Sequence, residues 1–410
     1  MMKCKIMALL LLCATAGKAQ NLAGTWTGML DAGAVKLNLV FHLLQDENGK
    51  DYCLMDSPDQ SVNGVPTQLL FVSPDSLSVE VRSIGAKYNG KLEGETLKGV
   101  FEQMGRRFNL DLKQQVLAYR RPQHPVAPFP YTTKEVSFTN AADSATLAGT
   151  LTYPVGYKAG DKVPVVLMVT GSGPEDRDET IYQHKPFWVI ADYLARKGIA
   201  TLRYDDRAVG KSTGRRMAFT TKEVADDAKA GIAFLRQMDC FSRIGLLGHS
   251  EGATVGFMLG AEKQIDFVVS MAGVGVKGDD CIYSQAKKIT ALSGQPLTMS
   301  KEQYVEIALK QGNPWLDYFL RYDAPADIQQ TTCPVFALNG DKDVQVLADL
   351  NLTGIEKNLP QNAKTQVKRY PGLNHLFQEC KTGLPTEYSQ IEQTISTEVL
   401  EDIAAWINAL

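Results

Sequence analysis

At 410 residues the chain is too long for one ordinary core, which predicts two or three domains. Hydrophobic residues make up 44% and charged residues 22%, a globular composition that argues against both disorder and a membrane bundle. The net charge of −3 supplies no basic surplus for phosphate groups, so nucleic acid is not an expected partner.

The chain opens on Lys3 and Lys5, followed by an apolar run from residue 6 to 14. The small residues Ala14, Ala16, Gly17 and Ala19 then precede Gln20. This order predicts a secretory signal peptide over residues 1–20, too short to span a bilayer. Cys13 follows a leucine run, but a lipoprotein signal needs a small residue before the cysteine, and Leu12 is not small. An exported, periplasmic protein without a membrane span is expected. Cleavage would remove Cys4 and Cys13, leaving Cys53, Cys240, Cys281, Cys333 and Cys380. These are scattered, without CxxC or metal-ligand spacing, so neither a metal site nor a disulfide scaffold is expected.

Over residues 21–118, short segments alternate polar and apolar side chains: residues 35–41, 77–81 and 108–112, with glycine punctuation at Gly64, Gly85, Gly90, Gly94 and Gly99. Period two with frequent turns predicts a small antiparallel all-β domain, a barrel or a sandwich, and no cluster in it suggests chemistry. Residues 119–133 hold Pro122, Pro125, Pro128 and Pro130, which favour extended backbone without ladder donors. They are read as a linker.

The period then changes. Residues 163–169 are almost continuously apolar, as a parallel strand covered on both faces must be. Residues 199–204, 244–247, 267–271 and 334–338 read alike. Helices alternate with them. Thr220 and Glu223 form a capping box ahead of Val224, Ala228, Ile232 and Leu235, and the last helix covers residues 398–410. Residues 134–410 are therefore predicted to form a doubly wound, mostly parallel α/β sheet. Between residues 276 and 332 the alternation breaks. Ser300 and Gln303 open a helix there, and Trp315, Tyr318, Phe319 and Tyr322 follow. This stretch is read as a helical lid over the carboxyl edge of the sheet, with ordinary packing helices as the other reading.

G-x-S-x-G occurs twice, as G-H-S-E-G at 248–252 and G-K-S-T-G at 210–214. The motif works as a strand–turn–helix that lifts a serine oxygen clear of the backbone. Ser250 follows an apolar strand and precedes Ala253, Val255, Phe257, Met258 and Leu259, so it fits. Ser212 is followed by Gly214, Arg215 and Arg216 and opens no helix. A serine needs an imidazole to take its proton, and the order on this kind of sheet is serine, acid, histidine. Among His42, His124, His184, His249 and His375, only His375 lies after Ser250. His249, adjacent to the serine, is expected to point away and pack. The acid is Asp341 or Asp343, both following the strand at 334–338. Gly340 lets the chain turn, which favours Asp343 facing back toward His375 and keeps Asp341 in the turn. The oxyanion donors are expected to be the Glu251 amide and the Ser172 amide, with Gly173 as the alternative to Ser172.

G-S-G-P-E-D-R-D-E at 171–179, R-Y-D-D-R-A-V-G-K-S-T-G at 203–214, G-H-S-E-G, N-G-D-K-D-V-Q-V at 339–346 and the final L-N-H resemble bacterial α/β-hydrolase esterases over residues 134–410. The front segment, with G-T-W-T-G, D-S-P-D-Q and F-E-Q-M-G, is similar to the β-domain often fused to them. The resemblance implies an α/β-hydrolase fold and a serine carboxylesterase acting on short- to medium-chain acyl esters, a small-molecule substrate, without metal or cofactor. It also places the acid at the last Asp of G-D-K-D, Asp343. Thr170 departs from the pattern, standing where many relatives carry His. A prolyl-oligopeptidase-like peptidase and a non-catalytic binding protein on the same fold are the rival readings; about 95 β-rich residues are too few for the propeller of the first.

Overall fold

A computed structural model describes residues 22–32, 36–46, 49–60, 62–115, 120–215 and 219–410. The expected signal peptide, with Cys4 and Cys13, lies outside the described residues. The chain forms two compact units, residues 1–118 and 119–410.

The first unit is a ten-stranded antiparallel sheet. Val62–Pro66 and Gln68–Ser73 stand at opposite ends of the strand order, yet only Thr67 separates them in sequence. One residue cannot span a flat sheet, so the sheet curls into a nearly closed barrel. Trp26, Phe41, Tyr88 and Phe101 fill its interior. The Tyr88 ring lies against the backbone of Gly90 and Gly99, where a Cβ would come within 2.4 and 2.5 Å of its hydroxyl. The alternating stretch at 108–112 is not one strand. Arg106–Asn109 and Leu112–Gln114 are separate, because the Leu110 amide turns away to the Gly99 carbonyl.

The second unit is built on an eight-stranded sheet: β1 (Thr132–Asn140), β2 (Ala145–Tyr153), β3 (Val163–Val169), β4 (Ala200–Tyr204), β5 (Phe241–His249), β6 (Phe267–Met271), β7 (Val335–Gly340) and β8 (Gln366–Tyr370). Their spatial order is β1-β2-β4-β3-β5-β6-β7-β8. β1 and β2 form an antiparallel edge, and β3 to β8 run parallel. Helices cover both faces, giving two apolar layers around Leu167 and Phe257 on one side and Met168 and Phe336 on the other. This is the α/β-hydrolase architecture. Thr220 and Glu223 cap the helix Thr221–Gln237 reciprocally, and Ala228, Ile232 and Leu235 are buried on its inner face. Between β6 and β7 lie four helices: Gly278–Leu292, Lys301–Leu309, Pro314–Arg321 and Ala324–Gln330. The last does not belong to a lid: Ile328 is fully buried and Thr331, just after it, donates to the Phe257 carbonyl. No helix among the described residues is long and apolar enough to cross a membrane.

The proline-rich segment differs from the expected linker. Its residues from 120 onward are laid onto the second unit, and β1 begins inside it. The buried Arg121 guanidinium donates to the carbonyls of Tyr182, Ser389 and Ile391 at 2.7, 3.1 and 3.0 Å. Gln123 donates to the Ile395 carbonyl and accepts the Thr394 amide. Deleting these residues would strand buried carbonyls, which costs about 3 kcal/mol or more. A chain starting at Tyr131 should therefore melt about 5 °C below one starting at Tyr119. Calorimetry of the two checks this, and equal Tm values would show that the segment is dispensable.

Candidate active site

β5 ends at His249, and the helix Glu251–Ala261 begins two residues later. Ser250 between them sits at φ 54°, ψ −113°, a left-handed backbone that costs a non-glycine residue about 1–3 kcal/mol. The sharpness of the turn explains the flanking glycines. A Cβ on Gly248 would lie 2.0 Å from the Gly252 carbonyl oxygen, and one on Gly252 would lie 2.0 Å from that of Val169. The Ser250 amide is fixed to the Met271 carbonyl at 2.8 Å. The serine thus stands on a helix N-terminus, whose first N–H groups have no intrahelical partner.

His375 lies in the turn after β8. Its Nδ1 is 2.7 Å from Asp343 Oδ2, and both side chains are buried. The other carboxylate oxygen of Asp343 accepts the amides of Gln345 and Val346 at 2.7 and 2.9 Å. A carboxylate only accepts, so Nδ1 carries the hydrogen and Nε2 is the basic nitrogen. Asp341 is not part of this group: its carboxylate accepts the Gly372 amide at 2.7 Å and braces the turn. Ser250 and His375 open onto one cavity of about 220 Å³. Ile282, Trp315 and Phe319 from the inserted helices line it, with Leu376 and Tyr388.

The loop after β3 brings Gly171 and Ser172 to the same cavity. Gly171 faces the serine, since a Cβ there would lie 3.5 Å from Ser250 Cβ. Its amide is already donated to Glu179 Oε1 at 2.9 Å, so of this loop the Ser172 and Gly173 amides remain as candidate oxyanion donors. Gly173, at φ 113°, supplies the bend beyond.

Several residues at the site carry no sequence signal of their own. The buried Glu251 carboxylate accepts from the Thr221 hydroxyl at 2.6 Å and from the Trp315 indole at 2.8 Å, tying the inserted helix Pro314–Arg321 to the elbow. Burial raises its pKa, opposed by hydrogen bonds from Thr221, Trp315 and Ser172. Glu175 lines the cavity, and burial followed by the neighbouring carboxylates of Glu179 and Asp206 pushes its carboxyl up to about 8. His249 does not merely pack: it is hydrogen-bonded at both ring nitrogens. Glu175 and Glu179 lie inside the G-S-G-P-E-D-R-D-E stretch, the one place where the sequence could have pointed to them. Ser212 is structural. Its hydroxyl donates to the Asp205 carbonyl at 2.6 Å and accepts the Ala148 amide at 2.9 Å.

The barrel unit also aligns a hydroxyl, an imidazole and a carboxylate, which the sequence did not reveal. Thr25 Oγ1 is 3.1 Å from His42 Nδ1, and His42 Nε2 is 2.7 Å from Asp56. Thr25 and His42 are directly paired across two strands, so cross-strand polar pairing accounts for the line. Thr25 stands within a strand, Gly24–Asp31, not on a strand–helix elbow. Among the described residues no cluster of three metal-ligating side chains is present.

Residues 185–300 match the family model described as Serine aminopeptidase, S33. Over 277 residues the chain is 30% identical to Esterase EstD of Thermotoga maritima, taking in 64% of this chain and 65% of that protein. Over 146 residues it is 32% identical to Esterase FrsA of Yersinia enterocolitica, covering 36% of this chain and 32% of that protein. The matches thus span less than two thirds of the length of these curated relatives. The solved esterase Pf2001 of Pyrococcus furiosus aligns at a TM-score of 0.46 and 17% identity, over 71% of this chain and 98% of that one.

The two aspartates after β7 separate cleanly by experiment. Asp343→Asn removes the charge facing His375 Nδ1 and should lower turnover about 10⁴-fold. Asp341→Asn should cost about 1 kcal/mol of stability and little turnover. Steady-state rates on one small ester, with both variants checked for folding, decide it; the reverse ranking would move the acid to Asp341.

Proposed function

We propose that this chain is a serine hydrolase of the α/β-hydrolase superfamily, a carboxylesterase for short-chain acyl esters. One observation carries the reading: the His375–Asp343 bond of 2.7 Å stands on the same cavity as a serine held in a left-handed elbow at a helix N-terminus. Ser250 Oγ attacks the ester carbonyl carbon as His375 Nε2 takes its proton. The amides of Ser172 and Glu251 hold the oxyanion, and Asp343 stabilises the imidazolium. His375 returns the proton to the departing alkoxide, leaving an acyl-Ser250. Water then repeats the sequence and releases the acid.

The small cavity, lined by Trp315, Phe319 and Tyr388, favours a short acyl group. We also propose that the protein is exported, on the strength of residues 1–20, and mass determination of the periplasmic product would detect loss of that segment.

A second reading, hydrolysis of aminoacyl bonds, is favoured by Glu175. Its carboxyl lines the cavity with no hydrogen-bond partner among the described residues, and no Lys or Arg lines that cavity. A substrate ammonium beside it would favour the carboxylate form against the burial that raises its pKa, and would pair with it. Alanine p-nitroanilide hydrolysed faster than p-nitrophenyl acetate would establish this reading over the first.

Ser250→Ala should abolish turnover of p-nitrophenyl acetate and butyrate, a loss on the order of 10⁶-fold, and labelling by a fluorophosphonate. Ser212→Ala should keep the rate while losing about 1 kcal/mol, since it strands the Ala148 amide. Rates should fall from butyrate to dodecanoate. Undiminished turnover by Ser250→Ala would refute the mechanism, and a preference for dodecanoate would refute the size limit.

A further inference from the structure

We infer that Glu179 and His249 are a positioning pair, a buried carboxylate–imidazolium link that holds the oxyanion loop and the base loop in register around Ser250. The inference rests on the roles proposed above for Ser250 and His375. His249 Nδ1 is 2.9 Å from Glu179 Oε1, and its Nε2 is 2.9 Å from the backbone carbonyl oxygen of His375. Glu179 Oε1 also accepts the Gly171 amide at 2.9 Å. The chain of bonds therefore runs from the loop before Ser172, through the residue preceding the nucleophile, to the backbone of the base.

The partners decide the charge. A carbonyl only accepts, and so does a carboxylate already taking an amide. A neutral imidazole has one N–H and would satisfy one of them; two bonds need hydrogen on both nitrogens. His249 is thus an imidazolium, neutralised by Glu179 in a site where both side chains are under a tenth exposed. Other charged or titratable groups facing it are Asp343, Glu175 and the His375 ring, whose centroid is 4.6 Å away. Burial opposes the charge, but the Glu179 carboxylate and its hydrogen bond outweigh it, helped by the His375 carbonyl and Asp343. The imidazolium is held up to about 9. Glu179 reaches this position from φ 53°, a left-handed backbone stabilised by the turn in which Asp176 accepts the amides of Asp178 and Thr180. Such strain at a side chain outside the triad fits a geometric duty.

A raised histidine contributes fully below its ordinary value near 6.5, and the contribution is lost as pH rises through about 9. Above that, one of the two bonds goes, and with it the tie between donor and base. Misplacement on that scale costs on the order of 10²-fold in turnover.

The test uses the full chain labelled with 15N-histidine. One ring should carry hydrogen on both nitrogens at pH 7, lose one near pH 9, and vanish from the spectrum of His249→Gln. In Glu179→Gln, which still accepts the Gly171 amide, that ring should be neutral at pH 7. Its kcat should fall about 10- to 100-fold with KM within about threefold, and its alkaline limb should move down by at least about one pH unit. Glu179→Asp, which keeps the charge, should hold the limb near the wild-type position. A neutral His249 ring in the wild type at pH 7, or an alkaline limb unmoved in Glu179→Gln, overturns the inference. The ring measurement reads the pair whether or not the protein cleaves esters, so failure of the pair and failure of the esterase reading are told apart.

Discussion

Everything at the site depends on one backbone crowding. The strand leading to Ser250, the helix leaving it and the end of β3 meet so closely that Gly248 and Gly252 have no room for a Cβ. That contact forces the serine into left-handed backbone, puts a helix N-terminus beneath it, and brings Gly171 and Ser172 within reach. The parallel order β3, β5, β6, β7 then delivers the acid and base from loops at the same carboxyl edge, where ligands bind on open α/β sheets. The chemistry is assembled from loops, but the sheet order decides which loops meet.

A second constraint is the density of buried carboxylates around that edge. Glu179, Asp206, Glu251 and Asp343 are all under a tenth exposed. Each is accommodated differently. Asp343 has two amides and an imidazole, Glu251 two hydroxyls and an indole, and Glu179 an amide and a cation. Asp206 has the Thr170 hydroxyl and the Glu175 amide, and burial still pushes it up to about 8. Two buried histidines make the same point. His184 meets the Thr394 hydroxyl, the Gln378 amide and the Tyr388 carbonyl, and burial followed by the nearby Arg121 pushes it down to about 4. His249 meets only acceptors and is driven the other way. Burial disfavours the cation at both, and only at His249 does a carboxylate partner outweigh it.

Legibility in the sequence follows the range of the signal. Ser250 is readable because strand, turn and helix are contiguous, and His375 because no other histidine follows the serine. The parallel strands β3 to β7 are readable as apolar runs, whereas the edge strand β8 is not. Nor is β1, since as an edge strand it exposes most of its residues and shows neither an apolar run nor regular alternation. Glu179 and His249 are 70 residues apart, and nothing in either neighbourhood announces the other. Arg121 among prolines looks like a linker residue because its partners lie about 270 positions later. Thr170 is a departure from the family pattern whose sense appears only in three dimensions: it donates to Asp206 rather than to anything in the cavity.

The grip of Arg121 has a consequence for the order of events during synthesis. The barrel takes all its strands from residues 24–114, so every partner it needs is present early. The second unit cannot close until residues 389–395 exist, because a guanidinium near its beginning is completed by carbonyls near its end. Contacts of such separation form late, after the intervening chain has lost its freedom. The barrel can therefore fold ahead of the second unit, whose closure around Ser250 waits for residues 389–395.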